Sequence, residues 1–299
     1  MCRLLAMVSN YETYLNFTFE ILSGILRTLC KETGECHEHG AGFAWYQRGK
    51  WGAKRVGKPL WESPELRQLI NWTRSRAMIL HARRATYPQY SLQGPKDENS
   101  HPYVGELMGF RWVLVHNGLI KFNRSRVRIR PQEKILEYRG SEHILSSYGI
   151  DSEIFFKIFL YELRDFGGEE PLNVIHVLEN IIKSELIEDF YSFNMIIGSH
   201  RYVYALRYYN EDYEGMAEKY TMFYLIRSGS SEAGRALRKK SDEIDFFICS
   251  EPLTDKKWVA EVRNVREDFP EEKWEELKNK QIIAIPIANP QNYKIETID

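Results

Sequence analysis

The chain has 299 residues, with 41 lysines and arginines against 42 aspartates and glutamates, a formal net charge of -1. So even a balance supplies no long-range field to draw the protein onto nucleic acid or an anionic bilayer, which leaves a small-molecule partner as the expectation. Hydrophobic residues at 43% suffice for a folded core, and no apolar run approaches the roughly 18 residues that span a bilayer.

The opening, MCRLLAMVSNYETY, has too short an apolar run for a secretory leader and no small-residue cleavage site, so the expected setting is the cytoplasm. In that reducing compartment Cys2, Cys30, Cys36 and Cys249 are not expected to form structural disulfides. Residues 2 to 9 read as a buried strand, and apolar residues from about Asn16 to Thr33 recur at helical spacing. Gly40 to Val56 reads as a hairpin turning at Arg48-Gly49-Lys50. Ser63 is expected to cap the helix SPELRQLINWTR, with Pro64 at its first position, and AMILHAR follows as a strand.

The stretch from about Ala85 to Tyr103 is rich in Pro, Gly, Asn, Ser and Gln and reads as a long functional loop. WVLVHNG, from Trp112, resumes strand character. The basic run NRSRVRIRPQEK, from Asn123, reads as a solvated strand or loop rather than a nucleic-acid site. Two helices follow, Ser152 to about Phe166 and Pro171 to about Ile187. FNMIIGSHRYVYALRYY then reads as two strands around Gly198-Ser199-His200-Arg201, and TMFYLIR, IDFFICS and QIIAIPIA add three more. Strands early and late with helices between imply a layered α+β architecture, and the absence of a linker or repeat implies one domain, residues 1–299.

Chemistry concentrates in four places. Trimming of Met1 would make Cys2 residue one, and its α-amine, with a pKa near about 8, could take the thiol proton, so that nucleophile and base belong to one residue. In HARRAT, residues 81–86, strand alternation puts His81 and Arg83 on one face and Arg84 on the other, and a guanidinium at a strand end can grip a carboxylate. HNG, residues 116–118, is a hairpin-turn signal that can also serve as an oxyanion hole, through the Asn117 amide and the Gly118 N–H. Asp151 stands at a helix start, where it could cap the helix, accept from a substrate ammonium, or do both.

In this order, Cys2, HxRxAT, an apolar strand into HNG and a DSE helix start resemble the glutaminase domain of class II glutamine amidotransferases, which are N-terminal-nucleophile hydrolases. The likeness is to the stand-alone branch beginning MCRLL, which also carries a strand like FNMIIGSHRYVYA and a late SEPLT, present here at 193–205 and 250–254. The resemblance implies a four-layer αββα fold with two mainly antiparallel sheets. It also implies roles: Cys2 as nucleophile forming a γ-glutamyl thioester, Asn117 and Gly118 as oxyanion hole, Arg83 on the α-carboxylate, Asp151 on the α-ammonium and Thr86 lining the pocket. No cofactor is implied. The substrate would be glutamine or another γ-glutamyl compound, such as a γ-glutamyl peptide or thiol conjugate, with a separate ammonia-accepting synthase subunit as an expected partner of the glutaminase form.

The sequence departs from that pattern at His39-Gly40-Ala41-Gly42, where many relatives have Asp-Gly-Trp-Gly, and at Arg84, where an aromatic residue often follows the arginine. Two readings compete with catalysis. One is a zinc site built from Cys30, Cys36, His37 and His39. The other is a γ-glutamyl-binding protein without turnover, against which a terminal thiol argues.

Overall fold

The computed structural model describes residues 2–15, 26, 30, 36–85, 95–130, 135–138, 142–145, 150–251 and 272–298. Thr86, and most of the helix expected from Asn16 to Thr33, lie outside these.

The early strands are β1 (Arg3–Tyr14), β2 (Ala41–Gln47), β3 (Lys50–Val56) and β4 (Arg74–Ala82), with helix α1 (Pro64–Trp72) before β4. The middle of the chain gives β5 (Tyr103–Leu107), β6 (Phe110–Asn117), β7 (Ile120–Phe122), β8 (Val127–Arg130), β9 (Ile135–Tyr138) and β10 (Glu142–Leu145). Helices α2 (Asp151–Asp165) and α3 (Pro171–Ile182) follow. The late strands are β11 (Ile187–Phe190), β12 (Asn194–Gly198), β13 (Tyr202–Arg207), β14 (Phe223–Ser228), β15 (Ile244–Cys249), β16 (Glu275–Glu276), β17 (Gln281–Pro286) and β18 (Lys294–Thr297).

Two large sheets dominate. The first has the order β16-β14-β15-β1-β4-β2-β3 and the second β18-β17-β13-β12-β6-β5, with every pairing in both antiparallel. Alternation along each strand explains how they stack. Leu4, Ala6 and Val8 of β1 share one apolar cluster with Val113 and Val115 of β6 and Ile196 of β12, which is the seam between the sheets. Leu5 and Met7 face the other way, onto Leu66 and Ile70 of α1. On the far side, Trp112, Leu114 and Met195 pack against Phe155, Phe159, Val174 and Leu178 of α2 and α3. The result is helix, sheet, sheet, helix, the four layers that the resemblance implies.

Three expectations need correction. Ser63 is the residue before α1, but its hydroxyl donates to Pro59 O (2.6 Å) instead of capping the helix; Pro64 at the first position removes one amide that would need a cap. Asp151 is the first residue of α2 rather than its cap, which is Ile150. Cys30 and Cys36 are joined as a disulfide, their Cα atoms 4.2 Å apart. The expectation of free thiols came from the compartment, and compartment does not decide which sulfurs the chain brings together. With both sulfurs bonded to each other, the zinc set is not assembled, and no cluster of three or more metal-ligating side chains occurs among the described residues. Nor is any described helix long and apolar enough to cross a membrane.

Candidate active site

Cys2 precedes the first residue of β1, and Arg3 pairs with Ala82 at the end of β4, so the fold sets Cys2 beside the residue that follows β4, Arg83. The thiol is 9% exposed and its Sγ lies 3.6 Å from Arg84 O. The start of β1 is braced from its other neighbour. Ser250, just past β15, donates its N–H to Leu4 O (3.0 Å) and accepts Leu4 N–H on its hydroxyl (3.1 Å), while Arg3 forms an ion pair with Glu251. This is what the first residues of the late SEPLT motif do.

Arg83 is buried but not idle. Its N–H donates to Gly40 O (2.8 Å), its carbonyl accepts from His39 N (3.2 Å), and its guanidinium Nη1 donates to His39 O (3.1 Å). His39 accepts the Ala85 N–H on Nδ1 (3.2 Å). A ring nitrogen that accepts must be unprotonated. Burial, opposed by Glu38 and reinforced by Arg83 and Arg84, lowers the His39 pKa and keeps it so. The imidazole thus braces the turn after Arg83 by accepting a hydrogen bond, as a carboxylate could.

Asn117 ends β6 and is 3% exposed. Its Oδ1 accepts the Cys2 N–H at 3.0 Å. That bond fixes the orientation of the amide: the oxygen faces Cys2, so Nδ2 is left as the donor end. Gly118 follows in a crowded turn where a Cβ would stand 1.9 Å from Ser192 O and 2.7 Å from His116 Nε2, so only glycine fits.

His116 organises the same turn from beneath. Its Nε2 lies 2.9 Å from Ser192 O and its Nδ1 2.8 Å from Ser152 Oγ. A carbonyl only accepts, so Nε2 carries the proton and Nδ1 accepts from Ser152. Asp151 closes the circuit, with Oδ2 accepting Ile120 N–H (2.9 Å) and Oδ1 accepting Ser152 N–H (2.8 Å). Oδ2 keeps a further lone pair, and the positive end of α2 favours the charge. Asp151 is therefore tied to a residue two positions beyond Gly118.

The structure thus brings Cys2, Arg83, Asn117, Gly118 and Asp151 to one end of the stacked sheets. Sequence reasoning missed His116, Ser152, Ser192, Ser250 and His101. Three of them stood in motifs the sequence offered, His116 in HNG, Ser152 in DSE and Ser250 in SEPLT, but without a role of their own.

The His101 ring lies 4.3 Å from the His81 ring and tilted to it by 45°, and neither of its nitrogens has a hydrogen-bond partner among the described residues. Burial holds all three histidines below their usual range: His81 at about 3, His101 well down, and His116 lowered despite the Asp151 charge. Unfolded imidazoles take up protons near pH 6.5 and these do not, so the stability they contribute is complete above about that pH and is lost as the pH falls. Denaturant titrations are expected to show stability declining from about pH 7 toward 5, with a slope of up to about 1.4 kcal/mol per pH unit for each histidine. A flat profile would rule out a neutral cluster.

Two stacked antiparallel sheets flanked by helices, with a cysteine at the head of a central strand, make up the αββα fold of N-terminal-nucleophile hydrolases. Solved structures share it. A class-II glutamine aminotransferase domain protein from Silicibacter pomeroyi covers 99% of this chain and 99% of its own, at TM-score 0.55 and 18% identity. The glutamine phosphoribosylpyrophosphate amidotransferase of B. subtilis covers 100% of this chain, at TM-score 0.58 and 14% identity; the chain spans 49% of that protein. The profile of the class-II glutamine amidotransferases matches residues 1–263, and the chain belongs to that family. Curated relatives include one from Haemophilus influenzae, 31% identical over 122 residues, which are 40% of this chain and 38% of that protein. Another, from Escherichia coli, is 27% identical over 207 residues, 69% of this chain and 72% of that protein. Both are named "Putative glutamine amidotransferase", the second with the suffix YafJ.

Proposed function

We propose that the protein, once Met1 is removed, is an N-terminal cysteine amidohydrolase that acts on glutamine or another γ-glutamyl compound. The α-amine of Cys2 takes the thiol proton, and the thiolate attacks the γ-carbonyl carbon. The oxyanion that forms accepts hydrogen bonds from Asn117 Nδ2 and Gly118 N–H. Collapse breaks the C–N bond, and the departing nitrogen takes the proton back from the α-ammonium. Water then attacks the thioester, the amine accepts its proton, and glutamate leaves with the thiol restored. Arg83 holds the α-carboxylate and Asp151 the α-ammonium throughout. Ammonia passes to water or to a separate synthase subunit.

The observation that carries this reading is the 3.0 Å bond from Cys2 N to Asn117 Oδ1. It joins the future base to the residue that supplies the oxyanion donor, a connection that a binding protein would not need. The test is a panel of glutamine, γ-glutamyl peptides and γ-glutamyl thiol conjugates, scored for ammonia or amine release, with the intact mass reporting Met1 loss. Release from none of them by the trimmed protein would overturn the proposal. Arg83→Ala is expected to raise KM about 10- to 100-fold, the size of a lost charge-assisted bidentate grip, with a smaller change in kcat. An unchanged KM would remove the clamp.

A further inference from the structure

Ser152, the second residue of α2, is buried, and its hydroxyl has one proton for two acceptors. His116 Nδ1 lies 2.8 Å from the oxygen and Asp151 Oδ1 3.3 Å. The Ser192 carbonyl accepts from Nε2 (2.9 Å), so the neutral imidazole presents Nδ1 as an acceptor and takes the Ser152 proton over the shorter distance. A second proton on the ring reverses that bond. Nδ1 becomes a donor, Ser152 Oγ accepts from it, and the hydroxyl proton turns to Asp151 Oδ1, which already accepts the Ser152 N–H (2.8 Å). Nε2 donates to Ser192 O in both states, so the oxyanion turn stays in place and the change falls on the Asp151 side.

The surroundings decide which histidine charges first. His116 is faced by Asp151 from α2, by His81 from β4 and by His101 from the segment before β5. Burial and the Arg83 charge hold His81 at about 3, and burial, His81, His116, Arg83 and Arg55 hold His101 well down. Burial lowers His116 too, but the Asp151 charge and the Ser192 carbonyl oppose it, so His116 is the first of the three to take up a proton as the pH falls. Burial raises both phenols that sense Asp151, Tyr103 beside Glu153, Arg55 and Arg83, and Tyr220 beside Cys2 and Tyr191, and they stay neutral throughout.

We propose that Ser152 is a positioning residue: by directing its hydroxyl to His116 or to Asp151, it sets how tightly Asp151 holds the α-ammonium of the substrate. This rests on the amidohydrolase reading above. The ring takes its second proton from water, and the serine keeps its own and only turns it. With the hydroxyl on His116, the carboxylate keeps its charge for the ammonium. With the hydroxyl on Asp151 and an imidazolium behind it, the carboxylate is partly satisfied and holds the ammonium less well. A γ-glutamyl substrate is therefore bound less tightly in acid than at neutrality, through its α-amine and not through its γ-amide.

The trimmed Cys2→Ala protein binds without turnover, and calorimetry on it reads the ratio of dissociation constants between about pH 5 and about pH 7.5. For glutamine and γ-glutamylglycine that ratio is expected to be about tenfold, the size of one hydrogen bond lost to a charged group. Glutaramate and glutarylglycine, which lack the α-amine, are expected to stay within about twofold, as is glutamine once Ser152→Ala is added. A ratio cancels any loss of affinity that the substitution itself brings. Ser152→Cys, which fills the same space with a poor donor, is the second variant and is expected to behave alike. Linkage is reciprocal, so saturating glutamine is expected to lower the midpoint of the His116 ring, followed by NMR of its nitrogens, by about one pH unit with Ser152 in place. A ratio near one for glutamine, the full ratio in the Ser152 variants or with the desamino ligands, or a His116 midpoint that glutamine leaves unmoved would overturn the inference. Failure of both γ-glutamyl ligands to bind at neutral pH would instead reject the reading of Arg83 and Asp151 as the substrate's anchors, and this inference with it.

Discussion

Cys2→Ala is expected to abolish amide hydrolysis, lowering turnover by a factor on the order of 10⁴–10⁶, as loss of a covalent nucleophile does. No other described thiol can substitute: Cys249, 1% exposed, pairs with Leu5 and is packed with it in the apolar cluster on the α1 side of the sheet, and Cys30 and Cys36 are bonded to each other. The fold should survive, because alanine preserves the main-chain nitrogen that Asn117 accepts and the β1 ladder beyond it. Substrate should still bind, since Arg83 and Asp151 are untouched, so the variant is expected to retain affinity for glutamine in calorimetry while releasing no ammonia. Ammonia release at a rate near wild type would show that the thiol is not the nucleophile, whatever the family suggests.

Gly118→Ala should be nearly as severe for a different reason. The added carbon would stand 1.9 Å from Ser192 O, the same carbonyl that receives the His116 Nε2 proton, so the turn must shift and carry its N–H away from the oxyanion position. Losing one such donor costs about 10²- to 10³-fold in kcat. KM should rise less than kcat falls, because the turn reaches the charged ends of the substrate only indirectly, through Asp151. The displaced turn would also disturb the bond from Ile120 N–H to Asp151, so a modest loss of thermal stability is expected alongside. Wild-type kcat in this variant would mean that the oxyanion is stabilised elsewhere.

The candidate site was easier to read from the sequence than the scaffold around it. Cys2, Arg83, Asn117, Gly118 and Asp151, which the structure brings to one end of the sheets, stood out through the order of their motifs along the chain, and β1, β4, β6, β12 and β15 because their apolar runs are continuous. Short edge elements such as β5, β7 and β11 were not, since three to five residues carry too little periodicity to stand out from loop. The partners of the site were hidden for another reason. Ser152, Ser192 and Ser250 act through contacts 36, 76 and 246 residues distant along the chain, and a serine's spacing from its own neighbours gives no hint of that. His39 shows the converse. It stood out only as a departure from the family pattern, yet its acceptor nitrogen holds the Ala85 amide.

The nitrogen of Cys2 is held by Asn117, a residue at the end of a strand in the other sheet. The separation of thiol and amide is therefore set by how two sheets stack and not by the conformation of a loop, so a substitution in the apolar seam, remote from both residues, would be felt as a change in the distance between them.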